Sequence, residues 1–311
     1  MDILGQVILP AGRSAVELSL FVLLPVMVVM LSIMRLLEAW GALDWVVARL
    51  TPALRPFGLT GLGVFAAFQV NLVNFAAPVA TLAVMEGRGV SDRHIAAAFA
   101  MVLAMAQANA VFPMATMGLV IGPVLLFSLL GGLAAAAATY HGFGRHLSAE
   151  ELQADETIHH PAAENAKGVL DVINRAGAEA FRIAMGALPM LVLSLVVVTG
   201  LRQMGAVTAL TGLLAPSLGA LGIDPALVLP ALTKYLAGGT AMMGVVDEQV
   251  RLHQLPAQQL NQAAGFLIHP LDIPGLAVLM SAGRRVAKVW KPAALGACVG
   301  IGLRTLAHIL I

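Results

Sequence analysis

Two windows of this chain contain no Asp, Glu, Lys or Arg: Pro56 to Met85, and His94 to Gly144, where His94 and His141 are the only titratable side chains of that kind. A bilayer-crossing helix needs about 20 mostly apolar residues, so the second window is long enough to cross twice, with a turn near Pro113 to Gly118. Only 11% of the chain is charged, against roughly 25% in ordinary globular proteins. This predicts an all-α polytopic membrane protein. Eighteen Lys and Arg against seventeen Asp and Glu leave no basic excess for nucleic acid. The single cysteine, Cys298, excludes an internal disulfide and a thiolate metal cluster. Met1 to Leu9 has no Lys or Arg, so the basic region of a secretory signal is missing and the first apolar segment is expected to be retained.

Helix punctuators recur at a spacing of 164 residues: Pro25 with Pro189, Gly41 with Gly205, Leu50 with Leu214, Pro52 with Pro216, Gly58 with Gly222. Internal duplication is the usual build of secondary transporters. Each half reads as a long apolar helix (15–37; 180–201), a short amphipathic segment (43–51; 207–215), a broken apolar stretch (57–85; 222–246) and two further helices (92–112 and 117–140; 257–282 and 288–310). The predicted organisation is a first repeat over 1–140, a polar connector over 141–179 and a second repeat over 180–311. The connector holds a capping-box pattern, Ser148-Ala149-Glu150-Glu151, and an amphipathic run through Val169, Val172, Ile173 and Ala176.

Positive charge discriminates between two topologies. If all eight apolar segments cross, Lys and Arg divide nine against eight, which gives no orientation although cytoplasmic loops normally carry an excess. If the broken stretches are re-entrant hairpins, Arg35, Arg49, Arg55, Arg88, Arg93, Arg145, Lys167, Arg175, Arg182, Arg284, Arg285, Lys288 and Lys291 share one face. Arg13, Arg202, Arg251 and Arg304 keep the other, and Lys234 lies within the second hairpin. Three crossings per half then invert the second repeat relative to the first. Both termini are expected outside and the connector in the cytoplasm. Trp40, Trp45, Tyr140 and Trp290 fall beside the basic face, as interfacial anchors do.

Amides and Pro78 in the first hairpin, Gln69 to Pro78, require a backbone that turns inside protein, and Gly238-Gly239 suits a turn in the second. An arm of about 10 to 12 residues reaches only about 15 to 18 Å, the bilayer midplane, so both tips are expected to meet there. Half-helix ends and polar side chains then form a site for a small polar solute. The candidates for contact are Gln69, Asn71, Asn74, Gln107, Asn109, Thr233, Tyr235, Thr240 and Asn261, since amides offer donor and acceptor together; the alternative is that these groups tie helices to one another. Lys234 needs a partner, and Asp272 is the best placed. The pair fits a proton relay, a counter-ion or a replacement for a coupling sodium, as well as an ion pair that only holds the hairpin. His269, in a helix broken by Pro270 and Pro274, is a third candidate for charge coupling. His159-His160 with Asp155 and Glu156 reads as a polar linker, and no metal or cofactor is expected. The chain lacks HExxH, GxSxG and a phosphate-binding glycine loop, so enzymatic chemistry and ATP-driven pumping are not expected.

Asn74-Phe75-Ala76-Ala77-Pro78, followed by Met85, resembles the Asn-Ala-Ala-Thr-Pro segment of the nucleoside recognition, or Gate, domain family, and the resemblance extends over both halves. That family includes the spore maturation proteins and is related to concentrative nucleoside transporters, whose re-entrant hairpins hold substrate between their tips. This sequence departs from the pattern at Phe75, and the second copy has Gly238 where the first has Asn74, so only Asn74 inherits a solute contact. The resemblance implies a permease of the bacterial inner membrane, expected to be a homo-oligomer, that moves a small, nucleoside-like solute by alternating access with proton or cation coupling. A membrane scaffold or assembly factor of the spore-maturation type is the alternative it leaves open.

Overall fold

A computed structural model describes residues 4–150, 167–206, 209, 212–213 and 224–311. Most of the amphipathic segment expected at 207–215, and the His159-His160 linker, lie outside the described residues. Among the described residues every regular element is a helix. Five are long and apolar enough to cross a membrane, among them Leu9–Ala39 (α1), Ile121–Phe143 (α7) and Trp290–Ile309 (α14). The protein is a multi-pass membrane protein.

Helix α1 ends at Trp40, and Gly41 adopts the left-handed conformation (φ 67°) that turns the chain into α2, Ala42–Leu54. Only one face of α2 is buried, through Leu43, Val47 and Thr51, while Trp40 and Trp45 are exposed. Gly58 (φ 81°) packs against the Tyr140 ring, and the chain then bends by 105° into a helical hairpin. Its arms are Gly61–Leu72 (α3), capped by the Thr60 hydroxyl, and Pro78–Gly87 (α4). At 12 and 10 residues they reach about 18 and 15 Å, roughly half of a bilayer core.

The next helix lies at the centre of the protein: 94% of its apolar window is buried. It is broken into Asp92–Ala104 (α5) and Ala108–Ala115 (α6), with Met105 and Gln107 both extended. The sequence reading has an unbroken helix over 92–112. Neither proline nor glycine occupies Met105-Ala106-Gln107, so neighbouring helices must hold the break. The Ser128 hydroxyl on α7 accepts the freed Ala106 N–H at 2.7 Å and donates to Asn71 Oδ1 at 3.0 Å.

The second half opens with Val169–Gln203 (α8), 35 residues long. The amphipathic run expected within the connector is therefore the first turns of α8, which continues through Gly177, Gly186 and Pro189 to Gln203. A second hairpin follows, Val228–Ala237 (α9) and Gly239–Arg251 (α10), turning at Gly238 (φ 91°). Then come Ala257–Leu267 (α11), Ile273–Met280 (α12), the short Arg284–Lys288 (α13) and α14. The elements recur at the spacing of the sequence repeat: shifted by 164, α5 and α6 fall at 256–268 and 272–279, beside α11 and α12.

Helices α1 and α8 lie along each other, tied by Ser19 Oγ to the Ala184 carbonyl (2.8 Å) and by Arg35 to Glu179 (2.8 Å). Helix α14 packs into α5, α7 and α11 through a seam of small residues; a Cβ at Gly296 would lie 2.7 Å from the Ala135 carbonyl and one at Gly300 would lie 2.9 Å from Ala135 Cβ. Phe21, Leu193, Val197, Leu303 and Leu306 face outward, as lipid contacts do.

Candidate functional site

A cavity of about 360 Å³ separates the α1–α8 pair from the hairpin tips and helix breaks. Its long-helix wall is apolar, with Leu23, Ile183, Gly186, Ala187 and Leu191. The opposite wall is built from the N-terminal ends of four helices: α4 at Asn74 to Ala76, α6 at Gln107 to Asn109, α10 at Gly238 to Ala241, and α12 at Asp272 to Gly275. Such ends carry orphan N–H groups and a partial positive charge. One of them, α12, is capped by a side chain, and a side chain also bonds the turn that leads into α4. Asn74 Oδ1 accepts the Ala76 and Ala77 N–H groups (2.7 and 2.9 Å), and Asp272 Oδ1 accepts that of Gly275 (2.7 Å). The other two, α6 and α10, have no side-chain cap and lie together. A methyl at Gly239 would overlap Gln107 Nε2, and Asn109 Nδ2 is 3.5 Å from Thr240 Oγ1.

At these uncapped ends Gln107 and Asn109 are 2% and 4% exposed, and neither Gln107 Nε2 nor Asn109 Oδ1 has a hydrogen-bond partner among the described residues. Buried polar atoms are normally satisfied. One orphan donor and one orphan acceptor at a cavity wall therefore mark a place where a ligand's acceptor and donor would complete the bonding.

Of the residues nominated from sequence, Asn74, Gln107, Asn109, Thr240 and Asp272 line the cavity. The rest stand behind that wall. Gln69 ties the arms of its hairpin through Thr81 (2.7 Å), and Asn71 supports the α5–α6 break through Ser128. Thr233 bonds back to the Leu229 carbonyl (2.9 Å). Tyr235 stacks near Phe266 and His269, with centroids at 5.5 and 6.0 Å. Asn261 clamps the α6–α7 turn, accepting from Val120 N (2.8 Å) and donating to the Gly118 carbonyl (2.9 Å). Lys234 is fully buried and pairs with Asp272 Oδ2, so the carboxylate at the cavity wall has its counter-charge behind it. His269 is also fully buried; its Nδ1 accepts from Leu271 N (3.1 Å), which leaves Nε2 without a partner among the described residues.

The sequence reading misses two features. Phe75 and Ala76 contribute to the wall at the first tip. Arg304, counted there with the outer face, is fully buried in α14. Its signal is the pattern Gly296, Gly300, Arg304 at intervals of four on an apolar helix, which puts the arginine on the seam side.

The Gate family, described as nucleoside recognition, matches residues 20–124, a stretch that runs from α1 into α7 and includes Asn74 to Pro78 and the α5–α6 break. No curated protein sequence matches the chain. Among solved structures, the chain is similar to CNTnw, a concentrative nucleoside transporter, in an inward-facing substrate-bound state: TM-score 0.67 at 16% identity, covering 94% of this chain and 74% of that one. A CNTnw variant in an outward-facing state gives 0.67 at 17% identity, with 93% and 75% covered. Another, in an intermediate state, gives 0.68 at 17%, with 92% and 74% covered. The protein thus has the fold of these transporters across both halves.

Proposed function

We propose that this protein is a permease for a small, uncharged, nucleoside-like solute, which binds in the cavity between the hairpin tips and crosses by alternating access. The observation that carries the reading is the pair of uncapped helix ends, α6 and α10, with the orphan donor Gln107 Nε2 and the orphan acceptor Asn109 Oδ1 at the wall of a cavity of about 360 Å³. A neighbouring carbonyl and N–H, as on the edge of a nucleobase, complement that pair. The apolar α1–α8 wall suits the flat face of a ring. Among the described residues that line the cavity there is no Lys or Arg, and Asp272 already has Lys234 as its counter-ion, so a phosphate there would meet helix N-termini but no side-chain cation. An uncharged nucleoside needs no such cation. Lys234, Asp272 and His269 are assigned to coupling of solute movement to a proton or cation.

In this reading the hairpins are re-entrant and the two repeats, over 1–140 and 180–311, are inverted. The termini lie outside the bacterial inner membrane, the 141–179 connector lies in the cytoplasm, and the protein works as a homo-oligomer. With Arg304 inside the protein, the charge division becomes thirteen against three, which strengthens the predicted orientation. Uptake of radiolabelled uridine into proteoliposomes, with parent, Lys234→Ala and Asp272→Asn proteins, tests the reading. Saturable uptake lost in both variants is expected. No flux and no thermal shift across a broad solute panel would replace it with the scaffold reading.

A further inference from the structure

Arg304 is fully buried, and among the described residues no carboxylate lies within ion-pair distance of it. Instead its guanidinium forks between two backbone carbonyls. Nη1 donates to Ala104 O at 2.5 Å and Nη2 to Ile268 O at 3.1 Å. Ala104 closes α5 and Ile268 follows the last residue of α11, so both carbonyls belong to helix ends orphaned by the breaks. Their spacing, 268 less 104, is 164, the interval that relates the two halves. One side chain therefore serves the same position in both repeats. A helix C-terminus carries about half a negative charge, so two such ends together offset about one positive charge.

The seat is built for this side chain. A methyl at Gly131 would overlap the Arg304 stem, and one at Gly265 would stand 2.6 Å from the Arg304 backbone. Beyond the two carbonyls the chain continues directly into the cavity wall, at Gln107 and Asn109 on one side and Asp272 on the other.

We propose that Arg304 is a positioning residue that locks the two helix breaks to each other and so holds the donor, the acceptor and the carboxylate of the cavity in one fixed arrangement. Its solute readout rests on the permease reading; its structural readout does not. The experiment is hydrogen–deuterium exchange of the purified full chain, with uridine affinity measured in parallel, for Arg304→Lys, Arg304→Met and Gly131→Ala. A lysine keeps the charge but lacks the planar fork needed to reach both carbonyls. A charge-assisted hydrogen bond is worth about 1.5–3 kcal/mol, so exchange is expected to rise about tenfold or more at 105–109 and 268–275 together, with the rest of the chain unchanged. Uridine affinity is expected to fall by about tenfold. A methyl at Gly131 would press on the Arg304 stem and on the Gly300 carbonyl together, so Gly131→Ala keeps the charge but shifts its seat, and Arg304→Lys carries the test if Arg304→Met does not fold. Faster exchange at one break only, a uniform rise along the chain, or parental exchange at both breaks would each overturn the proposal. A paired rise in a protein that binds nothing in a broad solute panel would support the positioning role and sink the permease reading.

Discussion

At Ile268 to Asp272 the chain has local reasons to leave the helix: Pro270 cannot donate a backbone hydrogen bond, Pro274 follows, and Asp272 turns its own carboxylate onto Gly275 N to start α12. At Met105 to Gln107 it has none, since Met, Ala and Gln are all good helix formers. Yet both places are broken, and both deliver their last carbonyl to Arg304. The first break is imposed from outside, by Ser128 on α7 and Arg304 on α14; the second is written locally and then used in the same way. Two breaks that share an architecture need not share the interactions that produce it.

The sharpest way to break this comparison is Asp272→Ala, which removes the α12 cap and leaves Lys234 buried without a counter-charge. Breaking a buried pair costs about 3–5 kcal/mol, so the thermal midpoint in detergent should fall steeply; a parental midpoint would show that the pair contributes little to the second break. Ser128→Ala is expected to cost about 1–3 kcal/mol, because the buried Ala106 N–H loses its acceptor. Its faster exchange should be confined to 105–107, and spread to 268–275 would mean that the breaks are coupled through α7 as well as α14. Gln107→Leu should leave stability unchanged or slightly raised, since Nε2 has no partner to lose, while uridine affinity falls about tenfold, or 1.4 kcal/mol. Isothermal titration separates these outcomes, and a loss of stability would show the amide to be structural. Pro270→Ala should have the smallest effect, within about 1 kcal/mol; exchange at 268–272 that becomes fully protected would show that the prolines alone maintain the second break.

Much of the frame is legible along the chain because it is punctuated. Gly41 and Gly58 sit where the backbone needs positive φ, Pro78 opens an arm, and Gly238 makes the second tip. Lys234 stands out because a charge in an apolar stretch needs a partner, and Asp272 is an acidic residue placed in the following helical stretch. The nominated amides divide only in three dimensions. Asn71 and Asn74 are three residues apart at one tip, yet Asn71, at the end of α3, reaches Ser128, and Asn74 bonds the turn before α4 at the cavity. Composition cannot separate them, because both are the same amide within one hairpin tip.

The sequence by itself determined that the chain is an all-helical membrane protein, and its glycines and prolines marked where the helices turn. These follow from burial length and from residues that stop helices, and both act over a few turns. The tertiary structure alone decided that α5 parts from α6, that Arg304 lies inside, and that the uncapped ends of α6 and α10 lie together at the cavity. Each of these depends on hydrogen bonds between residues from about 20 to 200 positions apart, and no local pattern encodes which distant carbonyl a buried donor will reach.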